Sequence, residues 1–251
     1  MVTKILFLCM AGFAASFVDS IAGGGGLISL PAFLIAGVQP HFALGTNKFS
    51  ATASAFTSSI KYAASGKVNF KLLRYLIPFT LLGAVLGVNT VLKIDQKFLN
   101  TTVFIMILAV SIYTFFSKSM GREDKFKGLT GKNVFFGMLL AFALGFYDGF
   151  FGPGTGSFIM FGLISIYGFD FVQAGGNAKV LNFISNITSL ILFAIQGKID
   201  YVLGLPVMIF MILGARIGTK MALKEGVRLV KPIFVVMSLG VAVKMMLNII
   251  N

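Results

Sequence analysis

The sequence predicts an all-α polytopic membrane protein made of two inverted repeats. Each repeat is a re-entrant or broken helix pair followed by spanning helices, about 8–10 membrane segments in all. Three observations carry this expectation. Of 251 residues, 57% are hydrophobic and 12% are charged, against about 45–50% and about 25% in soluble domains. That leaves too little polar surface to face water. The apolar runs suffice for roughly eight to ten crossings at about 20 residues each. The second half also repeats the first.

The repeat appears at an offset of 131 residues. Gly45-Thr46-Asn47-Lys48 falls on Gly176-Asn177-Ala178-Lys179, and Gly66-Lys67-Val68-Asn69-Phe70 falls on Gly197-Lys198-Ile199-Asp200-Tyr201. Leu82-Gly83-Ala84 falls on Leu213-Gly214-Ala215, Gly87 on Gly218, and the cluster Gly23 to Gly26 on Gly154-Thr155-Gly156-Ser157. Asp19 aligns with Asp148 once two residues are inserted. Several matches in one register over about 70 residues mark an internal duplication.

Taken in order, the first half has apolar segments at about 4–22, 26–37, 42–60, 73–92 and 98–117. The first resembles a signal peptide, because Lys4 precedes an apolar stretch ending in Ala14-Ala15-Ser16. It runs on to Gly23 and recurs in the second half, so it is expected to be a mature segment. The second segment has about a dozen residues and follows a glycine cluster. That is too short to span a bilayer and implies a half-helix or re-entrant piece. The second half has segments at about 133–151, 156–168, 174–196, 201–219 and 232–250. The expected organisation is a first transmembrane repeat at 1–120, a charged cytoplasmic linker at 121–132 and a second repeat at 133–251, together one membrane domain.

The formal net charge of +13 would suggest nucleic acid in a soluble protein. Here the basic residues sit mostly between apolar runs, as the positive-inside bias places them, so no nucleic-acid partner is expected. With three full crossings per half, thirteen Lys and Arg collect on one side and five on the other. Four crossings per half split them almost as well, so the totals barely discriminate. Equivalent loops discriminate better. The loop between third and fourth segments is basic in the first half and nearly neutral in the second, and the next loop shows the opposite bias. The copies are therefore expected to face opposite ways, with both termini outside.

Gly23, Gly24, Gly25 and Gly26, and the run Gly152-Pro153-Gly154-Thr155-Gly156, interrupt apolar segments where helix would otherwise continue. Non-helical backbone at membrane depth is tolerated only where protein buries it or it lines a watery cavity. Half-helices opening at Leu27 and Ser157 would aim amide hydrogens and positive dipole ends at that place, which suits an anion. Paired broken helices in inverted halves point to a transporter's midplane site. The plainer reading is that these glycines only let helices pack closely. No Gly-Lys-Ser/Thr follows either cluster, so neither is a nucleotide-phosphate loop, and no cofactor is expected.

Thr46, Asn47 and Lys48 open the third segment, and Asn177 and Lys179 open its counterpart. A lysine in hydrocarbon costs on the order of 3 kcal/mol on insertion scales, so it normally faces a cavity or a counter-charge. Amides and bare ammonium groups from both copies would form an oxyanion cradle, with Asn182 as a further donor. Alternatively, both lysines snorkel to an interface. Asp19 and Asp148 are the acids inside the expected spans, one before each break. They would couple transport to a proton gradient, or serve as fixed partners of Lys48 and Lys179 or as helix caps. Arg216, without a charged counterpart at Val85, either contacts substrate or meets a lipid headgroup. Phe146, Tyr147, Phe150 and Phe151 surround the second break and are candidates for gating a pathway. A single Cys and a single His exclude a Cys/His metal cluster. Cys9 is expected to be packing, and His41 to sit in a loop.

Taken together, these motifs resemble the TauE/SafE sulfite exporter family of membrane permeases. The residues concerned are Leu27-Ile28-Ser29-Leu30-Pro31 after the first break, Gly45-Thr46-Asn47-Lys48, the stretch from Gly145 to Gly156, and Asn177-Ala178-Lys179. The resemblance covers nearly the whole chain, and the second glycine motif is its most specific part. It implies a permease for small sulfur-containing or organic anions such as sulfite or sulfoacetate, in a bacterial inner membrane. The expected function is therefore a secondary-active transporter of small anions that alternates access at a midplane site, with protons as a candidate coupling ion. An anion channel is the alternative. An intramembrane enzyme is disfavoured for want of a nucleophile and base, and a structural subunit by the intramembrane charges.

Overall fold

The computed structural model describes residues 1–95, 98–99, 102, 105–106 and 123–225. The expected segment 232–250 and most of 98–117 lie outside these residues. The described residues form eight α-helices and no strands: α1 (Val2–Ala22), α2 (Gly26–Ile35), α3 (Pro40–Ala64), α4 (Phe70–Leu92), α5 (Gly131–Phe150), α6 (Thr155–Tyr167), α7 (Phe171–Ile195) and α8 (Tyr201–Glu225). Five of them, α1, α4, α5, α7 and α8, are long and apolar enough to cross a membrane. At 1.5 Å per residue, α2 and α6 reach only about 15 Å and 20 Å, short of the roughly 30 Å hydrocarbon core.

Several helices begin earlier than the apolar pattern predicts, and the reason is polar capping. Pro40 sits in the first turn of α3, where its missing N–H costs nothing. Asn69 accepts from the Leu72 amide, and Asp170 from the Val172 and Gln173 amides. Thr130 and Asn133 form a reciprocal capping box at α5. A reading keyed to apolar runs starts two or three positions too late, because a polar cap and polar first-turn residues such as Lys71, Lys132 and Gln173 break up the start of the run.

α3 has 25 residues but is too polar to qualify as a span by itself. Burial explains how it is tolerated. Thr46, Asn47, Lys48, Ser50, Thr52, Ser54 and Ser58 are all buried, screened by α7, α8, α2 and α1. Exposed Leu, Ile and Phe side chains on α1, α4, α5 and α8 form the outer surface instead. Polar interior and apolar exterior is the arrangement a bilayer imposes.

Equivalent residues in the two halves make equivalent contacts. A Cβ on Gly45 would lie 2.1 Å from the Lys198 carbonyl oxygen, and one on Gly176 would lie 2.3 Å from that of Lys67. The pairs Gly45/Gly176 and Lys67/Lys198 are related by the same 131-residue offset. These contacts set the start of each central helix beside the loop after the other, so α3 and α7 cross antiparallel. Ser16–Ser54 and Ser20–Ser58 hydroxyl pairs, at 2.7 and 2.8 Å, set α1 parallel to α3. α4 runs with α5, as Gly83 and Gly87 press on the Phe142 and Phe146 carbonyls. α8 runs with α1, as Gly214 and Gly218 press on those of Phe13 and Phe17. Each half's first helix is thus packed along the fourth helix of the other half. Two apolar clusters flank the centre, one around Leu30, Phe33, Val88 and Phe193 and the other around Leu76, Leu163, Tyr167 and Phe169. Cys9 is packed in the first of them.

Candidate functional site

The two glycine breaks meet. Gly23 has φ 73, and a Cβ there would fall 2.2 Å from the Ser157 amide nitrogen and 2.4 Å from the Gly156 carbonyl carbon. Only glycine combines that left-handed backbone with that approach. Gly26 packs against Pro153 in the same way, and the Ser157 hydroxyl donates to the Ala22 carbonyl at 2.8 Å. On the other side Gly154, at φ 85, turns the chain into α6, while Tyr147 donates to the Pro153 carbonyl at 2.6 Å.

Beside this junction lies a small cavity of about 40 Å³ lined by both halves. Gly24, Gly25 and Gly26 border it from the first break, and Gly152, Gly154, Thr155 and Gly156 from the second. Asp19, Asn47, Lys48, Asp148 and Asn182 also face it. Gly23 and Ser157, among the expected binding residues, do not line it; they join the two breaks.

The lysines carry carboxylate partners, so their ammonium groups do not stand bare; of the alternatives for Asp19 and Asp148, the structure has them paired with the lysines. Lys48 Nζ is 2.8 Å from Asp148 Oδ2, with 3% and 2% of their side chains exposed. Lys179 Nζ is 2.5 Å from Asp19 Oδ2, with 3% and 19% exposed. Each pair joins one half to the other. A buried lysine without a counter-charge would be far more costly than the pair, so the aspartates supply what local sequence could not. The Ser185 hydroxyl also donates to Asp148, and the Gly25 amide donates to Asp19 at 3.2 Å. Lys48 borders the cavity, whereas Lys179 does not.

Thr46 and Asn177 are likewise turned away from the cavity and tie the halves together. Thr46 Oγ1 accepts from the Asp200 amide at 2.9 Å, and Asn177 Oδ1 accepts from the Asn69 amide at 2.9 Å. Both bonds anchor the loop entering the other half's fourth helix. Arg216 is exposed on α8, and its carbonyl accepts from Lys61 Nζ at 2.7 Å. His41 lies in the first turn of α3 rather than in a loop, with Nε2 3.1 Å from the Val91 carbonyl. Phe146 and Phe150 stack on each other, and Tyr147 meets Phe151 and Phe158 edge-on.

Sequence reading missed Ser16, Ser29, Ser54 and Asn186, which also line the cavity, and Ser185, which holds Asp148. The signal was available as polar residues four apart on otherwise buried helices: Ser50, Ser54 and Ser58 on α3, Asn182 and Asn186 on α7. Asn47 Oδ1 is buried with no hydrogen-bond partner, which a packed interior avoids unless something else supplies the donor.

Spanning helices around two opposed helix breaks, with a charged, water-sized interior between them, define a polytopic membrane protein of the transporter class. The chain belongs to the family described as Sulfite exporter TauE/SafE, whose pattern matches residues 8–245. It is similar to a protein named "Probable membrane transporter protein" from Haemophilus influenzae, 39% identical over 96% of this chain and 94% of that one. A Sinorhizobium relative, "Probable membrane transporter protein ORF9", is 36% identical over 96% of this chain and 92% of its own length. "Probable membrane transporter protein YfcA" of Escherichia coli K12 is 33% identical over 98% and 91%. No solved structure matches.

Proposed function

We propose that the protein is a secondary carrier that moves a small anion by alternating access around the junction of the two breaks. The carrying observation is that Lys48, a buried cation, borders a cavity built from both breaks. Backbone at Gly24 to Gly26 and Gly154 to Gly156 brings amide groups to the same space, and the Asn47 and Asn182 side chains, whose amide nitrogens donate, border it too. Such donors recognise a compact oxyanion. Sulfite or another small sulfur-containing or organic anion fits this chemistry, in keeping with the family's description.

The two halves are inverted in this reading, as the antiparallel crossing of α3 and α7 supports, and they divide at the linker 121–132. Both termini lie outside a bacterial inner membrane, as the loop charges suggest. A cell gradient supplies the energy, since no nucleotide-binding motif is present. The carrier reading is favoured over a channel by the two buried ion pairs that join the halves across the site, because an open pore leaves no reason to bury them.

Counterflow of labelled sulfite, sulfoacetate and methanesulfonate into proteoliposomes tests this reading. A carrier saturates and exchanges at least one of them, and Lys48→Ala abolishes that exchange. Unsaturable conductance would identify a channel instead, and no flux of any anion would remove the assignment.

A further inference from the structure

We propose that Asp148, rather than Asp19, is the group that takes up a proton when the anion binds, so that one proton accompanies each monovalent anion. This rests on the anion-carrier reading above. Empty, the cavity holds Lys48 paired with Asp148 at 2.8 Å, and the pair is neutral. An anion seated on Lys48 takes the ammonium from Asp148 and places two negative groups side by side at membrane depth. One proton from water, moving onto a carboxylate oxygen of Asp148, converts it to a neutral acid. Lys48 and the bound anion then form the neutral pair, and the total charge is unchanged.

The surrounding hydrogen bonds permit this at Asp148 and oppose it at Asp19. The Ser185 hydroxyl has two acceptors in reach, the Asp148 carboxylate and the Asn182 carbonyl, the latter at 3.1 Å. A hydroxyl has one proton to give and lone pairs to receive. With Asp148 ionised, Ser185 donates to it. With Asp148 protonated, Ser185 turns its proton to the Asn182 carbonyl and accepts from the acid. Among the described residues, the hydrogen-bond partners of Asp19 are obligate donors, the Gly25 amide at 3.2 Å and the Lys179 ammonium at 2.5 Å. Neither can become an acceptor, so a proton on Asp19 would find no group there to receive its hydrogen bond. Lys179 is not displaced, because it does not border the cavity.

Lys48 from α3 is paired with Asp148 and Asp19 from α1 borders the same cavity, while Lys179 from α7 is held by Asp19. Tyr147 on α5 itself is engaged with Pro153. Among the described residues α6 brings no charge, and α4 carries only Lys71 and Arg74, near its start.

The test uses purified full-length protein and methanesulfonate, whose charge does not change between about pH 5 and pH 8. In lightly buffered solution the wild type takes up one proton per anion bound, and over that proton-uptake window its affinity rises about tenfold per pH unit lowered. Asp148→Asn binds with an affinity independent of pH and takes up no proton. Binding without proton uptake in the wild type overturns the proposal and leaves the anion site intact. Proton uptake that persists in Asp148→Asn, where Asp19 is untouched, also overturns it. If that variant does not fold, Asp19→Asn decides: proton uptake kept there sustains the proposal, and proton uptake lost there overturns it. Failure of both methanesulfonate and sulfite to bind removes the anion-carrier reading, and this inference with it.

Discussion

Lys48 and Lys179 occupy equivalent positions in the two copies, yet the structure uses them differently. Each is buried, and each meets an aspartate from the opposite half. Lys48 looks into the cavity beside a carboxylate steadied by a reorientable hydroxyl. Lys179 does not border the cavity, and its carboxylate partner also accepts from a backbone amide. In one pair both groups border the cavity, and in the other only the carboxylate does. Small changes at neighbouring positions accompany the split: Asn47 against Ala178, and Ala51 against Asn182. Two copies of one motif thus need not perform one task twice.

The largest effect expected to sharpen this contrast is at Lys48. Lys48→Ala removes the cation that meets the anion and strands Asp148, a loss of roughly 2–5 kcal/mol for a buried charged hydrogen-bonding partner. Anion counterflow should fall by at least about thirtyfold. Lys48→Ala with Asp148→Ala should recover thermal stability without recovering flux, since no unpaired carboxylate remains but the anion's partner is still missing. Recovered flux in the double variant would separate Lys48 from the cargo.

The next effect concerns the break itself. Gly23→Ala demands a left-handed backbone from alanine and pushes a methyl into the Ser157 amide. The backbone alone costs about 1–2 kcal/mol, and the collision adds to it. Gly66→Ala has a similar φ of 68 but meets nothing within 4 Å, so it should cost about 1 kcal/mol and leave flux near normal. The difference in melting temperature between these two variants measures how tightly the breaks are joined.

Lys179→Ala should act mainly on the fold. It leaves Asp19 without its ammonium, and a melting shift equivalent to about 1–3 kcal/mol is expected, with the anion affinity of the surviving folded protein largely kept. Sequence symmetry alone predicts that both lysine variants abolish uptake. An anion affinity that collapses in Lys179→Ala as it does in Lys48→Ala would restore that symmetric view. The smallest effect belongs to the tethers. Thr46→Val removes one bond to the Asp200 amide and should cost about 1 kcal/mol without changing which anions exchange, as a selectivity panel would reveal.

Much of this was legible before folding. Glycine clusters in apolar runs announced the two breaks, and the charges at Asp19, Lys48, Asp148 and Lys179 stood out because hydrocarbon penalises them. Other features were not legible. Thr46 and Asn177 read as donors for cargo, but a side chain's partner depends on which loop passes it, and here the loops come from more than 100 residues away. Ser185 was passed over because a serine in a span looks like ordinary helix-to-backbone bonding until Asp148 is seen beside it.

What the sequence determined by itself is the membrane class, the duplication, the position of each helix break and the inventory of buried charges. These follow from composition, from spacing and from local backbone chemistry, each set within a few residues. Only the tertiary structure decided which aspartate meets which lysine, which of the two lysines faces the cavity, and which polar residues became struts. Those outcomes depend on α3 and α7 crossing antiparallel between the halves, a long-range geometry that brings distant residues within hydrogen-bonding distance and that no local pattern encodes.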